Sequence, residues 1–466
     1  MYVAGVDSST QSTKVLLCQA ADGAVVDQRS APHPAGTECD PQAWWAALQQ
    51  AGDGLLDRAA AVAVAGQQHG MVALDAEGAV VRPALLWNDL RSSAAAADLV
   101  AELGGPRWWA EQTGSVPNAS FTVTKLRWLA EHEPANASRV ARVLLPHDWL
   151  TWRLGAAEPA TDRGDASGTG YFATPAGRWM PSIAAAALGH EPVLPRLAAP
   201  GEVVGQTIHG ALLAPGTGDN MGAALGLGLQ AGEVAVSVGT SGTVFAVSEV
   251  PAADHSGAVA GFADATGRFL PLVCTANAGL VLAAVATMTG TDVTGLTQRA
   301  LAADPGAGGV TLLPYFDGER TPDRPRATGV ASGLTTANAT PQNLARAVVE
   351  GVLASLADAA DLLSGYGVER SRVLIIGGGA RSEAIRALAP GIFGHDVDVP
   401  APQEYVALGA ARQAAWALAG TPEPPAWPRQ HGTRYHGTPQ PAVRERYAVL
   451  RDATSSWGGI DPTAGG

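Results

Sequence analysis

An aspartate after a glycine-rich loop near the middle of the chain is the first candidate for chemistry. Asp219 lies in the run GTGDNMGAALG (216–226), where glycines permit a tight loop and a helix is predicted to begin. There it either caps the helix or, inside a binding cleft, accepts a proton from a substrate hydroxyl. A second aspartate, Asp7, ends the predicted strand VAGVD (3–7) and is placed either to cap a turn or to hold Mg²⁺ through water.

Two hydroxyl-rich turns are candidates for holding phosphate groups. Residues 7–13 (DSSTQST) and 237–243 (SVGTSGT) each follow a predicted strand and lead into a second apolar run. Small residues let backbone N–H groups approach a phosphate, and hydroxyls add further donors. A P-loop is absent, because neither Lys14 nor Lys125, the only lysines, is followed by Ser or Thr. Protein-kinase signatures and a G-x-G-x-x-G loop after a strand are absent too.

A third candidate is the run IIGGGAR (375–381), in which three glycines follow a predicted strand. Such a turn fits a flat nucleotide against the backbone. It also fits an ordinary tight turn almost equally well, so both interpretations stay open.

Alternating strands and helices must position these motifs. Short apolar runs predict buried strands at 3–7, 61–66, 234–239 and 373–378, and alanine-rich stretches predict helices at 41–51, 344–363 and 405–419. This alternation indicates an α/β fold whose sheets are covered on both faces.

The two hydroxyl-rich turns each join two predicted strands, which suggests a duplicated domain; two unrelated Ser/Thr turns are the alternative. We expect a first domain over residues 1–228, a second over 229–453 and a disordered tail over 454–466. The glycine-rich run 222–232 is predicted to be the hinge between the domains, whose turns would face a shared cleft.

Composition excludes several classes of protein. A chain of 466 residues that is 47% hydrophobic and 16% charged is not disordered and is long enough for two or three domains. The net charge of −13 disfavours nucleic acid as a partner because it repels phosphates. Three cysteines (Cys18, Cys39 and Cys274) show no zinc-binding spacing and suit a reducing compartment.

The chain start and its longest uncharged run bear on location. MYVAGVDSST lacks the basic region of a signal peptide, and the run between Arg268 and Asp292 divides into a strand and a helix rather than a membrane span. We therefore expect a cytoplasmic protein with no membrane partner.

Seven motifs occur in the order seen in the FGGY family of carbohydrate kinases. They are Asp7-x-x-Thr10, VAGQQHG (64–70), LLWNDLR (85–91), GTGDN (216–220), SVGTSGTV (237–244), GERTP (318–322) and GGGARSE (377–383). Gly333-Leu334 followed by NLARAVVE (343–350) is similar to the family's C-terminal signature, from which Ala331 departs because a larger apolar residue is usual there. The resemblance covers nearly the whole chain.

The resemblance implies two ribonuclease H-like (actin-like ATPase) domains with an interdomain cleft that closes over a sugar and ATP. Within the family, Gln68-His69 and LLWNDLR look like the xylulokinases, which implies phosphorylation of D-xylulose to D-xylulose 5-phosphate. The alternatives are a kinase for L-ribulose or D-arabinitol, a sugar-sensing protein without catalysis, and an actin-like ATPase that is not a kinase. A homodimer is left open.

The resemblance also implies roles for individual residues. Asp219 would accept the proton, and Asp7 and Asp219 would hold Mg²⁺. The residues expected to contact the sugar are Gln68, His69, Trp87, Asn88, Asp89 and Asn220, with Arg91 shaping the same side. The residues expected to hold ATP are Thr10, Ser12, Thr13, Gly239, Thr240, Ser241, Gly378, Gly379 and Ser382. Lys125 has either a structural role near the cleft or an exposed position.

Overall fold

The structure is a computed structural model that describes residues 1–429 and 432–457. Its strands are β1 (Tyr2–Ser8), β2 (Ser12–Gln19), β3 (Val25–Pro32), β4 (Glu38–Cys39), β5 (Ala61–Gly66), β6 (Val72–Leu74), β7 (Ala84–Leu85), β8 (Arg142–Leu144), β9 (Ala160–Thr161), β10 (Phe172–Ala173), β11 (Arg178–Trp179), β12 (Arg196–Leu197), β13 (Gly205–Gln206), β14 (Leu212–Leu213), β15 (Thr217–Gly218), β16 (Glu233–Val238), β17 (Gly242–Ala246), β18 (Ala260–Ala263), β19 (Phe269–Thr275), β20 (Thr311–Leu313), β21 (Val330–Ser332), β22 (Arg372–Ile376), β23 (Val397–Pro400) and β24 (Gly432–Tyr435).

The helices follow the predicted alanine-rich stretches and add others. They are α1 (Pro41–Gly52), α2 (Ser93–Glu102), α3 (Gly105–Thr113), α4 (Thr122–His132), α5 (Pro134–Ala137), α6 (Pro146–Leu154), α7 (Arg163–Ala166), α8 (Pro181–Leu188), α9 (Asp219–Leu227), α10 (Gly279–Met288), α11 (Val293–Ala302), α12 (Pro341–Ser364), α13 (Glu383–Phe393), α14 (Tyr405–Ala419) and α15 (Pro441–Ala453), with 3-10 turns at Leu56–Arg58, Ala307–Gly309 and Gly378–Arg381.

The first compact unit contains Met1–Leu229, Val247–Pro271 and Gln403–Arg429. Its main sheet runs β13-β14-β5-β1-β2-β3. Strands β1, β2 and β3 are antiparallel neighbours, whereas β5 is parallel to β1 and β14 is parallel to β5. Helix α1 packs against β2 and β3, and its Trp44 is fully buried in the apolar core of this unit.

The second unit contains Gln230–Ala246, Leu272–Pro402 and, among the described residues, 432–457. Its strands run β19-β17-β16-β22-β23-β24. Strands β16, β17 and β19 are antiparallel neighbours, β22 is parallel to β16, and β23 is parallel to β22. The long helix α12 packs against β17 and β20, and most of its residues are buried.

The two units share one strand order and one set of directions. In each, a hairpin joined by a hydroxyl-rich turn comes first, a third antiparallel strand extends one side, and two parallel strands extend the other. The last strand of each sheet, β13 or β24, is antiparallel to its neighbour. The predicted α/β class and the predicted duplication are thereby confirmed.

Helix α14 corrects one expectation. The predicted second domain included it, but α14 packs against β1, β5 and α9 in the first unit. Glycines allow this approach: a Cβ on Gly409 would lie 1.8 Å from the carbonyl oxygen of Gly222, and one on Gly5 would lie 1.9 Å from that of Ala407. The chain passes from the first unit to the second between Leu229 and Gln230, inside the predicted hinge run 222–232, and the hinge itself stays a prediction.

Two further predictions concern the C-terminal residues 454–466 and the uncharged run after Arg268. Residues 454–457 continue α15 as a hydrogen-bonded turn in which the Thr454 hydroxyl donates to the Leu450 carbonyl, so they differ from the predicted disordered tail. Residues 458–466 of that prediction lie outside the described residues. The run after Arg268 forms β19 and α10, as predicted. Across the described ranges, no single helix is long and apolar enough to cross a membrane, and only α10 with α11, bent by 83°, meets that length and composition as a pair.

Candidate active site

Strand pairing places Asp219 at the edge of the first sheet. Strand β15 is parallel to the end of β5, pairing Thr217 with Ala65, and α9 begins directly at Asp219. Strand β1 ends beside β5 and carries Asp7. The carboxyl ends of these parallel strands thus bring the two predicted acidic residues to one place.

The surroundings of both carboxylates favour protonation. Burial raises the pKa of Asp219 to about 7, and the negative charges of Asp7 and Asp165 add to the rise. Burial also raises the pKa of Asp7 to about 6, although the Ser9 hydroxyl donates to Oδ1 of Asp7 and opposes this rise. A carboxylate whose pKa lies near neutral pH is suited to accept a proton.

Residues after β5 connect Asp219 to the predicted sugar contacts. Nδ2 of Asn220 donates to Oε1 of Gln68 at 2.9 Å and to Oδ1 of Asp219 at 3.0 Å. The backbone N–H of Asn220 also donates to Oδ1 of Asp219 at 2.8 Å. These bonds fix one carboxylate oxygen and join Gln68 to Asp219 and Asn220, which lie about 150 residues further along the chain.

His69 is held in a defined orientation beside this network. Its φ of 68° is in the left-handed region that non-glycine residues rarely adopt. Its Nδ1 donates to the Gly168 carbonyl at 2.6 Å, and its own carbonyl accepts from the Thr122 hydroxyl. The rings of Phe121 and Phe262 lie 4.9 Å and 5.7 Å from the imidazole. The sequence analysis did not identify these two aromatic neighbours, because a lone phenylalanine carries no motif.

The LLWNDLR segment divides into two roles. Trp87 is partly exposed, and its indole N–H donates to the Thr10 hydroxyl at 2.8 Å, which links this segment to the first hydroxyl-rich turn. Asn88 is also partly exposed. Asp89 does not fit the predicted sugar contact: it is 3% exposed and accepts hydrogen bonds from Thr37 and Arg91. Asp89 instead orders the segment.

The first hydroxyl-rich turn contains one residue that does not fit the phosphate role. Thr13 is fully buried, and its hydroxyl donates to Nε2 of His33 at 2.8 Å, while Nδ1 of His33 donates to the Ser9 carbonyl. Pairing along β1 and β2 places Thr13 inside the sheet, opposite Ser8. Ser12 and Thr10 remain partly exposed.

The second unit brings its two predicted ATP turns together. Gly239 and Thr240 are exposed at the end of β16, and Gly378 is exposed after the parallel strand β22. Gly377 has φ +83°, and a Cβ there would lie 2.8 Å from the Val238 carbonyl oxygen. Glycine is therefore required for the two turns to lie side by side.

Three further predicted ATP contacts lie at this edge of the second sheet. Ser241 is partly exposed, and its carbonyl accepts from the N–H of Gly239. Ser382 is the N-cap of α13, and its hydroxyl lies 3.0 Å from that of Thr297 on α11. Gly379 packs against Val238, because a Cβ there would lie 2.4 Å from Cγ1 of that valine.

Lys125 has a structural role. Its ammonium group is fully buried and donates to the carbonyls of Ala119, Ser120 and Phe121. These bonds fix the loop that carries Phe121 against His69.

A buried polar cluster lies behind the Asp219 loop, and the sequence analysis missed it. Its members are His147, Asp148, Asp162 and Asp165, all at most 2% exposed. Nδ1 of His147 lies 2.7 Å from Oδ2 of Asp165, and its Nε2 lies 3.1 Å from Oδ1 of Asp148. Burial alone would lower the pKa of His147, but Asp148, Asp165 and Asp162 raise it to about 9, so the imidazole stays protonated. Four polar residues spread over two short helices give no periodic signal, so only the fold reveals them.

Models of one protein family match both halves of the chain. Residues 2–226 match the model of the N-terminal domain of the FGGY family of carbohydrate kinases, and residues 234–418 match that of the C-terminal domain. The chain belongs to the FGGY family of carbohydrate kinases. It is an ATP-dependent sugar kinase with the two-domain α/β architecture of that family.

Individual relatives of this kinase cover almost the same length. It is 49% identical to the xylulose kinase of Streptomyces coelicolor over 90% of this chain and 88% of the relative. It is 36% identical to the xylulose kinase of Escherichia coli over 91% of each chain. The crystal structure of xylulose kinase from Bifidobacterium adolescentis is similar with a TM-score of 0.90 at 46% identity, covering 97% of this chain and 99% of that one.

The raised pKa of Asp219 predicts a pH-dependent stability difference. With a pKa of 3.8 when unfolded and about 7 when folded, the wild-type carboxylate loses stabilising free energy as the pH rises between these values. An Asp219→Asn side chain does not titrate, and its Oδ1 can accept the same hydrogen bond from the backbone N–H of Asn220. We expect the Tm of Asp219→Asn to exceed that of the wild type by a few degrees at pH 8 and by much less at pH 5, measured by thermal melts. A Tm difference that is the same at both pH values would contradict the raised pKa.

Proposed function

We propose that this kinase transfers the γ-phosphate of ATP to the terminal hydroxyl of D-xylulose, giving D-xylulose 5-phosphate, with Asp219 as the proton acceptor. The sugar is supported by relatives named xylulose kinase at 49% and 36% identity that align over nearly their whole length. The proton acceptor is supported by the site geometry. A cytoplasmic location is part of this proposal, because the three cysteines of the sequence show no zinc-binding spacing and suit a reducing compartment.

The observation that carries the mechanism is the position of the Asp219 carboxylate. It stands at the start of α9, partly exposed, with Oδ1 accepting from Asn220. Its raised pKa makes it a stronger base than an ordinary aspartate, because burial and then two neighbouring negative charges favour the protonated form. It would take the proton of the sugar hydroxyl as the oxygen attacks phosphorus, leaving the neutral acid after transfer.

The proposed sugar contacts are groups whose orientation is already set. Gln68 is fixed by Asn220, and His69 is fixed by Gly168 and by its aromatic neighbours. Trp87 and Asn88 add partly exposed polar groups from the LLWNDLR segment. Groups fixed in advance lose little entropy when a sugar binds, which favours a reactive orientation.

The proposed ATP contacts are exposed backbone and hydroxyl groups. Gly239, Thr240 and Ser241 would hold phosphates through N–H and hydroxyl donors, and Gly378, Gly379 and Ser382 would lie against the adenosine. Thr10 and Ser12 would add donors from the first hydroxyl-rich turn.

Mg²⁺ fits Asp7 and Asp219 as ligands only in combination with the nucleotide. In the two described ranges, no group of three or more His, Cys, Asp or Glu side chains is arranged to hold a metal ion. Mg²⁺ commonly takes one or two carboxylates and completes its shell with phosphate oxygens and water, which suits these two residues. When bound, it would neutralise charge on the phosphates.

The substrate is tested by a coupled ADP-release screen over pentuloses, hexuloses, polyols and gluconate. We expect D-xylulose to give the highest kcat/KM, because relatives named xylulose kinase align over nearly their whole length. A preference of tenfold or more for L-ribulose, D-arabinitol, glycerol or gluconate would overturn this substrate and leave the sugar kinase activity intact.

The proton acceptor is tested by Asp219→Asn, which keeps the shape of the side chain and removes its basicity. We expect kcat to fall by about 10²- to 10⁴-fold with little change in the KM for ATP. The matched control is Asp254→Asn, because Asp254 is a 7% exposed aspartate that accepts backbone N–H bonds from Ser256 and Val259 in a loop that carries none of the proposed site residues. The control should lose stability and keep kcat. A folded Asp219→Asn enzyme with more than about a tenth of wild-type kcat would rule out this role.

A further inference from the structure

The buried cluster of His147, Asp148, Asp162 and Asp165 is assigned no contact with sugar or ATP in the proposed transfer. It nevertheless contacts the loop that carries Asp219. The cluster lies on α6, on α7 and at the residue before α7. Burying four ionisable groups costs free energy of folding unless the groups are paired and hydrogen-bonded. The position of this cluster therefore needs an explanation.

Three consecutive loop residues each meet one member of the cluster. A Cβ on Gly216 would lie 2.5 Å from Cδ2 of His147, so the bare glycine backbone packs on the imidazole. The Thr217 hydroxyl donates to Oδ2 of Asp162 at 2.7 Å. A Cβ on Gly218 would lie 3.2 Å from Oδ1 of Asp165, an oxygen for which the structure gives no hydrogen-bond partner.

The cluster is itself rigid. Asp162 caps α7 by accepting from the backbone N–H groups of Gly164 and Asp165, at 3.0 Å and 2.9 Å. His147 bridges Asp165 and Asp148. The carboxylate that receives the Thr217 hydroxyl is therefore fixed before that bond forms.

The loop needs such a support. Gly218 is the N-cap of α9 and supplies no side-chain cap, so no side chain at the helix start supports the backbone that precedes Asp219. On the other side, Gln413 of α14 clamps Gly216 through both its N–H and its carbonyl, at 3.0 Å each. Between that clamp and Asp219, the Thr217 hydroxyl makes the only side-chain hydrogen bond that the described structure gives for residues 217 and 218.

We propose that Thr217, through its hydrogen bond to Asp162, is a positioning residue that holds the proton-accepting carboxylate of Asp219 in its reactive place. The inference rests on the proposed role of Asp219. Removing the bond takes away the side-chain support of β15 next to the carboxylate and leaves only its backbone pairing with β5. Displacement of a reacting group by about 1 Å costs about 10²-fold in rate.

The test compares Thr217→Val with Thr217→Ser, assayed with whichever sugar the substrate screen ranks first. Valine keeps the shape and removes the hydroxyl, and Asp162 keeps its two backbone donors. We expect kcat to fall by about 10- to 100-fold in Thr217→Val, with the KM for ATP within twofold of wild type, and to stay within threefold of wild type in Thr217→Ser. Thr217→Ala, which cannot overfill the site, repeats the comparison if the valine variant does not fold.

The matched control is Thr174→Val. Thr174 is equally buried and donates one hydrogen bond, to the Thr113 carbonyl at 2.8 Å, away from the loop. The Tm of Thr174→Val should fall by about as much as that of Thr217→Val, and its kcat should stay at the wild-type value. A Thr217→Val enzyme that also loses Tm but keeps kcat within threefold of wild type would overturn the positioning role.

A double-mutant cycle separates this inference from the role of Asp219. If Thr217 acts through Asp219, Thr217→Val should have little further effect on kcat in the Asp219→Asn background. A full 10-fold or greater loss in that background would show that Thr217 acts elsewhere and would overturn the inference. Normal kcat in Asp219→Asn alone would instead refute the proposed proton acceptor, so the two failures are distinguishable.

Discussion

Crowding of negative charge at the end of the first sheet is the constraint on which the site depends. Asp7 and Asp219 are drawn together because β1, β5 and β15 end at the same edge, α7 brings Asp165 beside Gly218, and burial deprives the carboxylates of water. The charges of Asp7 and Asp165 raise the proton affinity of Asp219, which costs stability and makes Asp219 a better base. The fold opposes this repulsion with fixed donors: Ser9 on Asp7, Asn220 on Asp219, and protonated His147 on Asp165.

Glycine makes the arrangement sterically attainable in both units. In the first unit, Gly5, Gly222 and Gly409 let α14 press against β1 and α9, which holds the start of α9 close to the sheet. In the second unit, Gly377 and Gly379 let the turn after β22 approach Val238 at the end of β16. The same duplicated strand order therefore carries an acidic edge in one unit and an edge of backbone donors in the other. Phosphoryl transfer uses both kinds of group, a base for the hydroxyl and donors for the phosphates.

Much of this was predictable from the sequence, because strand ends and small-residue turns are local signals. The hairpins around residues 8–12 and 239–241 and the helices α1, α12 and α14 fall where apolar patterning predicts them. What patterning missed depends on packing. Whether Thr13 faces a ligand or the interior depends on strand register, and whether Asp89 meets a sugar or Arg91 depends on a loop conformation. The place of α14 in the first unit depends on contacts some 180 residues or more distant in sequence, and the cluster around His147 exists only once α6 and α7 are packed.

The pH dependence of kcat/KM for the sugar, measured between pH 5 and 9 with MgATP held well below its KM so that the rate reports the ligand-free enzyme, tests the central claim most directly. A base must be deprotonated in the free enzyme, and burial with neighbouring charge raises the pKa of Asp219 to about 7. We therefore expect kcat/KM to be constant above about pH 8 and to fall by roughly tenfold per pH unit below about pH 6. A profile that stays flat down to pH 5, as the ordinary aspartate value of 3.8 would give, would contradict the account.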